Sequence, residues 1–175
     1  MCLKTKDNNS KIAEEDVVVY KCVRSVKERY SSKKYRDMFT LFLEEKVSYE
    51  EMTGKAPFIG KGKKEIKYDD KTGEYNIGEG YIHAYLDRET AKRVVRDYFI
   101  GKEWYFPVVV KAIIPKGTKY FEGTDTHDLP CIAAEQIVIG ECLDCFVDHK
   151  FYNFDDYVSN LEKSKAPSQE RQPFE

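Results

Sequence analysis

The soft metal ligands of this sequence gather in one stretch. His127 and Cys131 form H-x-x-x-C, Cys142 and Cys145 form C-x-x-C, and His149 follows. Zinc takes Cys and His in a tetrahedral set, so the pattern raises a metal site. The same stretch is rich in β-branched residues and reads as extended chain. If 137–147 is one continuous strand, Cys142 and Cys145 point to opposite faces and cannot share an ion. Zinc C-x-x-C pairs sit on knuckle turns with a glycine nearby, and here Gly140 precedes the pair. The expectation is therefore buried thiols and no metal. A thioredoxin-like redox pair would need a βαβ setting that the chain does not offer.

Three further groups could do chemistry. Glu135 stands in "CIAAEQIVIG", at the head of a strand among apolar neighbours. Such a carboxylate is either at a sheet edge in water or held for a functional role. Glu141 has the same parity in an unbroken strand. His83 lies between Tyr81 and Tyr85 on one face of "YIHAY". It is either a hydrogen-bonded structural histidine or part of a tyrosine-lined binding face. Lys61, Lys63 and Lys64 in "FIGKGKKE" could meet phosphate, although a solvated loop fits them better. No G-x-S-x-G, P-loop or H-E-x-x-H is present, and no G-x-G-x-x-G opens a helix.

These residues need elements to position them. "DVVVYKCV" reads as a buried strand. "SSKKYRDMFTLFLEEKV" places Tyr35, Met38, Phe39 and Phe42 at helical spacing behind a Ser32 cap. "SYEEMTG" adds a capping-box turn of helix. "EIKYDDKTGEYNIG" is a hairpin turning near Lys71–Gly73. After the Tyr81–Tyr85 strand, Asp87 caps a helix whose apolar stripe is Ala91, Val94, Val95, Tyr98 and Phe99. Arg88, Lys92 and Arg96 form its basic, solvated side. "YFPVVVKAII" has a long apolar run and belongs in the centre of a sheet. "TKYFEG" returns as a strand, "TDTHDLP" is loop, and "CIAAEQIVIGECLDCFV" gives one long or two short strands. A last helix starts at an Asn153 cap with Phe154, Tyr157, Val158 and Leu161 inward. The architecture expected is α+β: a single domain over 1–165, a mostly antiparallel sheet of five to seven strands, about three helices, and a mobile tail at 166–175.

Composition sets the outer bounds. The chain has 175 residues, of which 41% are hydrophobic, enough for one domain with a real core. The 13 tyrosines suit half-buried sheet surfaces and pocket walls. A net charge of −2 argues against a dedicated nucleic-acid binder. No apolar run reaches membrane-spanning length, and Met1–Ser10 lacks the apolar core of a signal peptide. The five cysteines are then read as reduced thiols in a cytoplasmic protein.

Two resemblances add to this reading. "IAEEDVVVYK", "GEGYIHAY" and "VVVKAIIPKGTKYFEG" resemble a set of short uncharacterised bacterial and phage proteins. Those share a Met-Cys-Leu start like Met1–Leu3, a Gly-aromatic-x-His-like strand and an Ile-Pro-Lys-Gly-x-x-Tyr hairpin. The order of elements also resembles the ADP-ribosyltransferase-like fold. That likeness puts Tyr20 and Lys21 at the nicotinamide-side position, "GEGYIHAY" at the middle motif and Glu135 at the catalytic carboxylate. Lys21 stands where that family has Arg or His, and "AAEQIV" replaces its Glu-x-Glu.

The function expected is a small soluble binding protein of phage type. It would hold or sequester a nucleotide-like ligand, or a host protein, through Tyr20, Lys21, Tyr81, His83 and Tyr85, with no cofactor and no duplex nucleic acid or membrane partner. The alternative is an ADP-ribosyltransferase-like, NAD-using enzyme with Glu135 as its carboxylate.

Overall fold

The computed structural model describes residues 3–26, 38–40, 46–47, 56–60, 63–98, 105–160 and 163. Among them are fourteen strands and two helices. The strands are β1 (Leu3–Thr5), β2 (Lys11–Ile12), β3 (Val17–Val26), β4 (Met38–Thr40), β5 (Lys46–Val47), β6 (Ala56–Ile59), β7 (Ile66–Asp69), β8 (Glu74–Ile77), β9 (Ile82–Tyr85), β10 (Tyr105–Ile114), β11 (Lys119–Thr124), β12 (Pro130–Ala134), β13 (Gln136–Val147) and β14 (Lys150–Asn153). The helices are α1 (Arg88–Tyr98) and α2 (154–160).

One antiparallel sheet joins the strands in the order β14-β13-β10-β3-β9-β12-β11-β1-β8-β7. β10 lies against β3 along its whole length, from Tyr105↔Val26 to Ile114↔Val17. β9 and β10 flank β3 on opposite sides, yet β12 runs along β9 while β13 runs along β10. β12 and β13 are one stretch of chain broken only at Glu135. The sheet therefore curls back on itself, and Glu135 sits at the corner.

The curl separates two apolar layers. Inside it lie Val19 and Val23, Ile82 and Ala84, Val108, Val110, Ala112 and Ile114, Ile132 and Ala134, Ile137 and Ile139, closed by Phe154 of α2. On the other face, Ala91, Val94 and Val95 of α1 cover Cys22, Tyr85, Val109 and Cys131. Both helices start as their sequences predict. The Thr90 N–H donates to Asp87 Oδ2 at 2.8 Å, and the Asp156 N–H donates to Asn153 Oδ1 at 3.1 Å.

The architecture corrects the expectation of a five-to-seven-strand α+β sheet with about three helices. The extra strands are short pieces that extend or patch edges. Met38–Thr40, expected in a helix, is a strand paired with β3 from Val23↔Thr40 to Ser25↔Met38. It takes over where β9, whose register with β3 is Tyr20↔Tyr85, leaves that edge. The backbone groups of β3 need a partner there, and that need overrides three residues of helical spacing. The start of the loop expected at "PFIGKGKK" is instead strand β6, paired with β13 from Gln136↔Ile59 to Ile139↔Ala56. The helical turn expected at "SYEEMTG", Leu161 and the tail at 166–175 lie outside the described residues. No helix among the described residues is long and apolar enough to cross a membrane.

Candidate functional site

The Tyr81–Tyr85 face is largely committed to the fold. Tyr85 is only 2% exposed, and its hydroxyl donates to Asp125 Oδ2 at 2.9 Å. Burial, reinforced by that carboxylate, raises the hydroxyl's pKa. The His83 ring holds Nε2 3.0 Å from the Ile77 carbonyl, and the Lys21 ammonium donates to the His83 carbonyl at 2.8 Å. Tyr81 is 7% exposed and meets Phe121 edge-on, with ring centroids 5.5 Å apart. Its pKa is raised, burial again leading.

Burial also lowers His83 to about 4, so the ring is neutral at pH 7. The unfolded chain then binds the proton first as pH falls, and stability drops between about pH 6.5 and pH 4. At pH 5 this amounts to about 2 kcal/mol. Denaturant melts of wild type and His83→Gln at pH 7 and pH 5 measure it. Equal losses in the two proteins would show that His83 does not contribute.

Glu135 is reached from a second loop. A Cβ on Gly60 would collide with the Gly80 carbonyl, so only glycine lets these two backbones cross. Beyond the crossing, Lys64 Nζ lies 2.6 Å from Glu135 Oε1, with both side chains part-exposed. The same ammonium stands 6.0 Å from the centre of the Tyr81 ring. Tyr81 and Glu135 are thus brought together around Lys64. Tyr20, by contrast, pairs with Tyr85 at the far end of β9. Four residues of extended chain put that end about 13 Å from Tyr81.

The expectation that Cys142 and Cys145 point to opposite faces is overturned. β13 is continuous, but its register against β10 slips between Val109↔Asp144 and Val110↔Cys142. The bulge inserts one residue, so Cys142 and Cys145 both face the inner core. Among the described residues no group of three His, Cys, Asp or Glu is placed to hold a metal ion.

The arrangement with most capacity to bind was not singled out from the sequence. On the α1 side of the sheet, Cys22, Val109 and Asp144 form one cross-strand row beneath the helix. The next row is Tyr20–Lys111, and the one after it Val18–Ile113. Successive rows are about 7 Å apart. Val18 is 42% exposed, so the cover ends here. Arg88 reaches down from α1 and grips the buried Asp144 with two bonds, Nε to Oδ2 at 2.9 Å and Nη2 to Oδ1 at 2.8 Å. Its pKa is raised, mainly by that bond, and Tyr20 is among the smaller contributors. Lys111 is half-buried, and among the described residues neither it nor the Tyr20 hydroxyl has a hydrogen bond or ion pair.

Tyr20 and Lys111 therefore stand between an apolar floor of Val18 and Ile113 on one side and Arg88, bound to Asp144, on the other. Such a surface can take an anion beside a flat apolar group. Lys111 carried one legible signal: a lone lysine in the otherwise apolar "PVVVKAII". Arg88 had none, because a basic helix stripe ordinarily faces water. Comparison with known proteins finds no match to this chain, whether among family models, curated proteins or solved structures.

Proposed function

We propose that this is a cytoplasmic binding protein for a small anionic, nucleotide-like ligand, held against β3 and β10 by Tyr20, Lys111 and Arg88. The observation that carries the reading is Lys111, a half-buried lysine in the central strand with no carboxylate bound to its ammonium among the described residues. An arriving anion can therefore take a charge-assisted bond from Lys111 without displacing a protein partner. The bidentate bond to Asp144 fixes the Arg88 guanidinium, so little side-chain entropy is lost when it meets a ligand. Tyr20 and the Val18–Ile113 floor suit a stacked base.

The enzyme alternative has less support. It needs Glu135 as a free carboxylate near a gripped nicotinamide. Glu135 is ion-paired to Lys64, the Lys21 ammonium is bonded to the His83 carbonyl, and Tyr20 lies at the other end of β9.

Thermal-shift measurements with ATP, ADP-ribose, NAD and inorganic phosphate test the proposal. A ligand at about a hundred times its dissociation constant stabilises the fold by about 2.7 kcal/mol. Lys111→Met keeps the packing of the stem and should abolish the shift, whereas Tyr81→Ala should leave a shift of similar size. No shift with any of the four, or an undiminished shift in Lys111→Met, would sink the proposal.

A further inference from the structure

The sheet ends at β7, and this edge lies apart from the ligand face. Among the described residues β7 pairs only with β8. The Gly78 N–H donates to the Glu65 carbonyl at 2.9 Å. In an antiparallel ladder the alternation then turns the backbone groups of Lys67 and Asp69 inward, toward β8. Those of Ile66 and Tyr68 point outward, at the open edge. The side chains of these two residues are also unusually bare for their type, at 38% and 60% exposed. Tyr68 is braced from behind by Tyr75, with ring centroids 5.0 Å apart.

We propose that β7 is a self-association edge, through which two copies of this chain pair antiparallel about a two-fold axis at Tyr68. The charge order selects this partner and this register. A two-fold antiparallel pairing must set one residue against its own copy. An axis at Lys67 or Asp69 would oppose like charges, and one at Ile66 would set Tyr68 against the partner's Lys64, which is held by Glu135. An axis at Tyr68 sets Lys67 against the partner's Asp69 and Asp69 against the partner's Lys67. It also lets the two Tyr68 residues exchange both outward backbone bonds and stack side by side. Edge strands commonly repel one another with charges of one sign, and β7 alternates them instead. Lys67 already forms an exposed pair with Glu65 on its own strand, which rearranges at little cost. So short an edge buries less than a standard interface, and the association is weak and concentration-dependent.

Sedimentation equilibrium of the full chain, from micromolar to near-millimolar, tests it. Wild type should show a reversible monomer–dimer equilibrium. Lys67→Asp and Asp69→Lys should each weaken self-association by about tenfold or more, because each creates two like-charge contacts in the dimer. A mixture of these two variants should dimerise again, since both contacts are then attractive. Asp69 also accepts the Lys71 N–H at 2.9 Å, so Asp69→Asn, which keeps that acceptor, should weaken dimers without loosening the turn. A wild type that stays monomeric at every concentration would overturn the proposal. So would single variants that dimerise like wild type, or a mixture that does not recover.

Discussion

Val109→Asp should remove the cooperative native melt. Val109 is fully buried in β10, between Cys22 of β3 and Asp144 of β13, under Ala91, Val94 and Val95 of α1. A carboxylate there has no cation of its own. Arg88 is already engaged by Asp144, which would become a like-charged neighbour across the strands, and Lys111 starts one row, about 7 Å, away. An unpaired buried charge costs several kcal/mol, roughly the whole stability of a domain of about 5–15 kcal/mol. The matched change on the same face of the sheet, Val18→Asp, should cost no more than about 0.5 kcal/mol, because Val18 lies beyond the cover of α1. Circular-dichroism melts of the two variants compare them directly. A native-like transition for Val109→Asp would mean that α1 does not seal this part of the sheet.

The elements legible in the sequence were those with a long period. "YFPVVVKAII" announced a central strand, and β10 is one. The Lys71–Gly73 turn announced the β7–β8 hairpin, and the caps at Asp87 and Asn153 announced α1 and α2. Strands of two to four residues carry too little pattern to be read. β4, β5 and β6 exist because edges of β3, β4 and β13 need partners, a requirement set by residues distant in sequence.

The candidate site was legible only in part, for a related reason. Alternation at Tyr81, His83 and Tyr85 was visible and correctly gave a strand. It could not say which face is open when Ile82 and Ala84 pack inside the curl and Tyr85 packs under α1. The parity of Cys142 and Cys145 followed a rule that one bulged residue reverses. Lys111 looked like an interruption of an apolar run. Its place beside Tyr20 appears only once the register of β3 and β10 is known.

Asp125→Ala should destabilise the protein by about 3–5 kcal/mol, although "TDTHDLP" reads from sequence as an ordinary polar loop. Asp125 is wholly buried. Its Oδ1 accepts the His127 and Leu129 N–H groups at 2.8 and 3.0 Å, and its Oδ2 accepts the Tyr85 hydroxyl at 2.9 Å. The same residue ties the loop by its backbone: its N–H donates to the Leu129 carbonyl at 2.9 Å, and its carbonyl accepts the Asp128 N–H at 3.1 Å. Asp128 is thereby held at a φ of 61°, a left-handed conformation that this short polar side chain tolerates. Alanine would remove the acceptor of two buried donors and one part-buried donor, at about 1–3 kcal/mol for each buried group left unpaired, less whatever local relaxation recovers. Tyr85→Phe removes one donor and leaves Asp125 two, so it should cost only about 1 kcal/mol. In the double variant both the hydroxyl and its acceptor are gone. Its cost should therefore fall below the sum of the two single changes by about 1 kcal/mol or more, the signature of a direct bond. Urea melts of the four proteins give all three numbers. An Asp125→Ala cost below 1 kcal/mol, or strict additivity with Tyr85→Phe, would show that the carboxylate does not hold β9 to the β11–β12 turn.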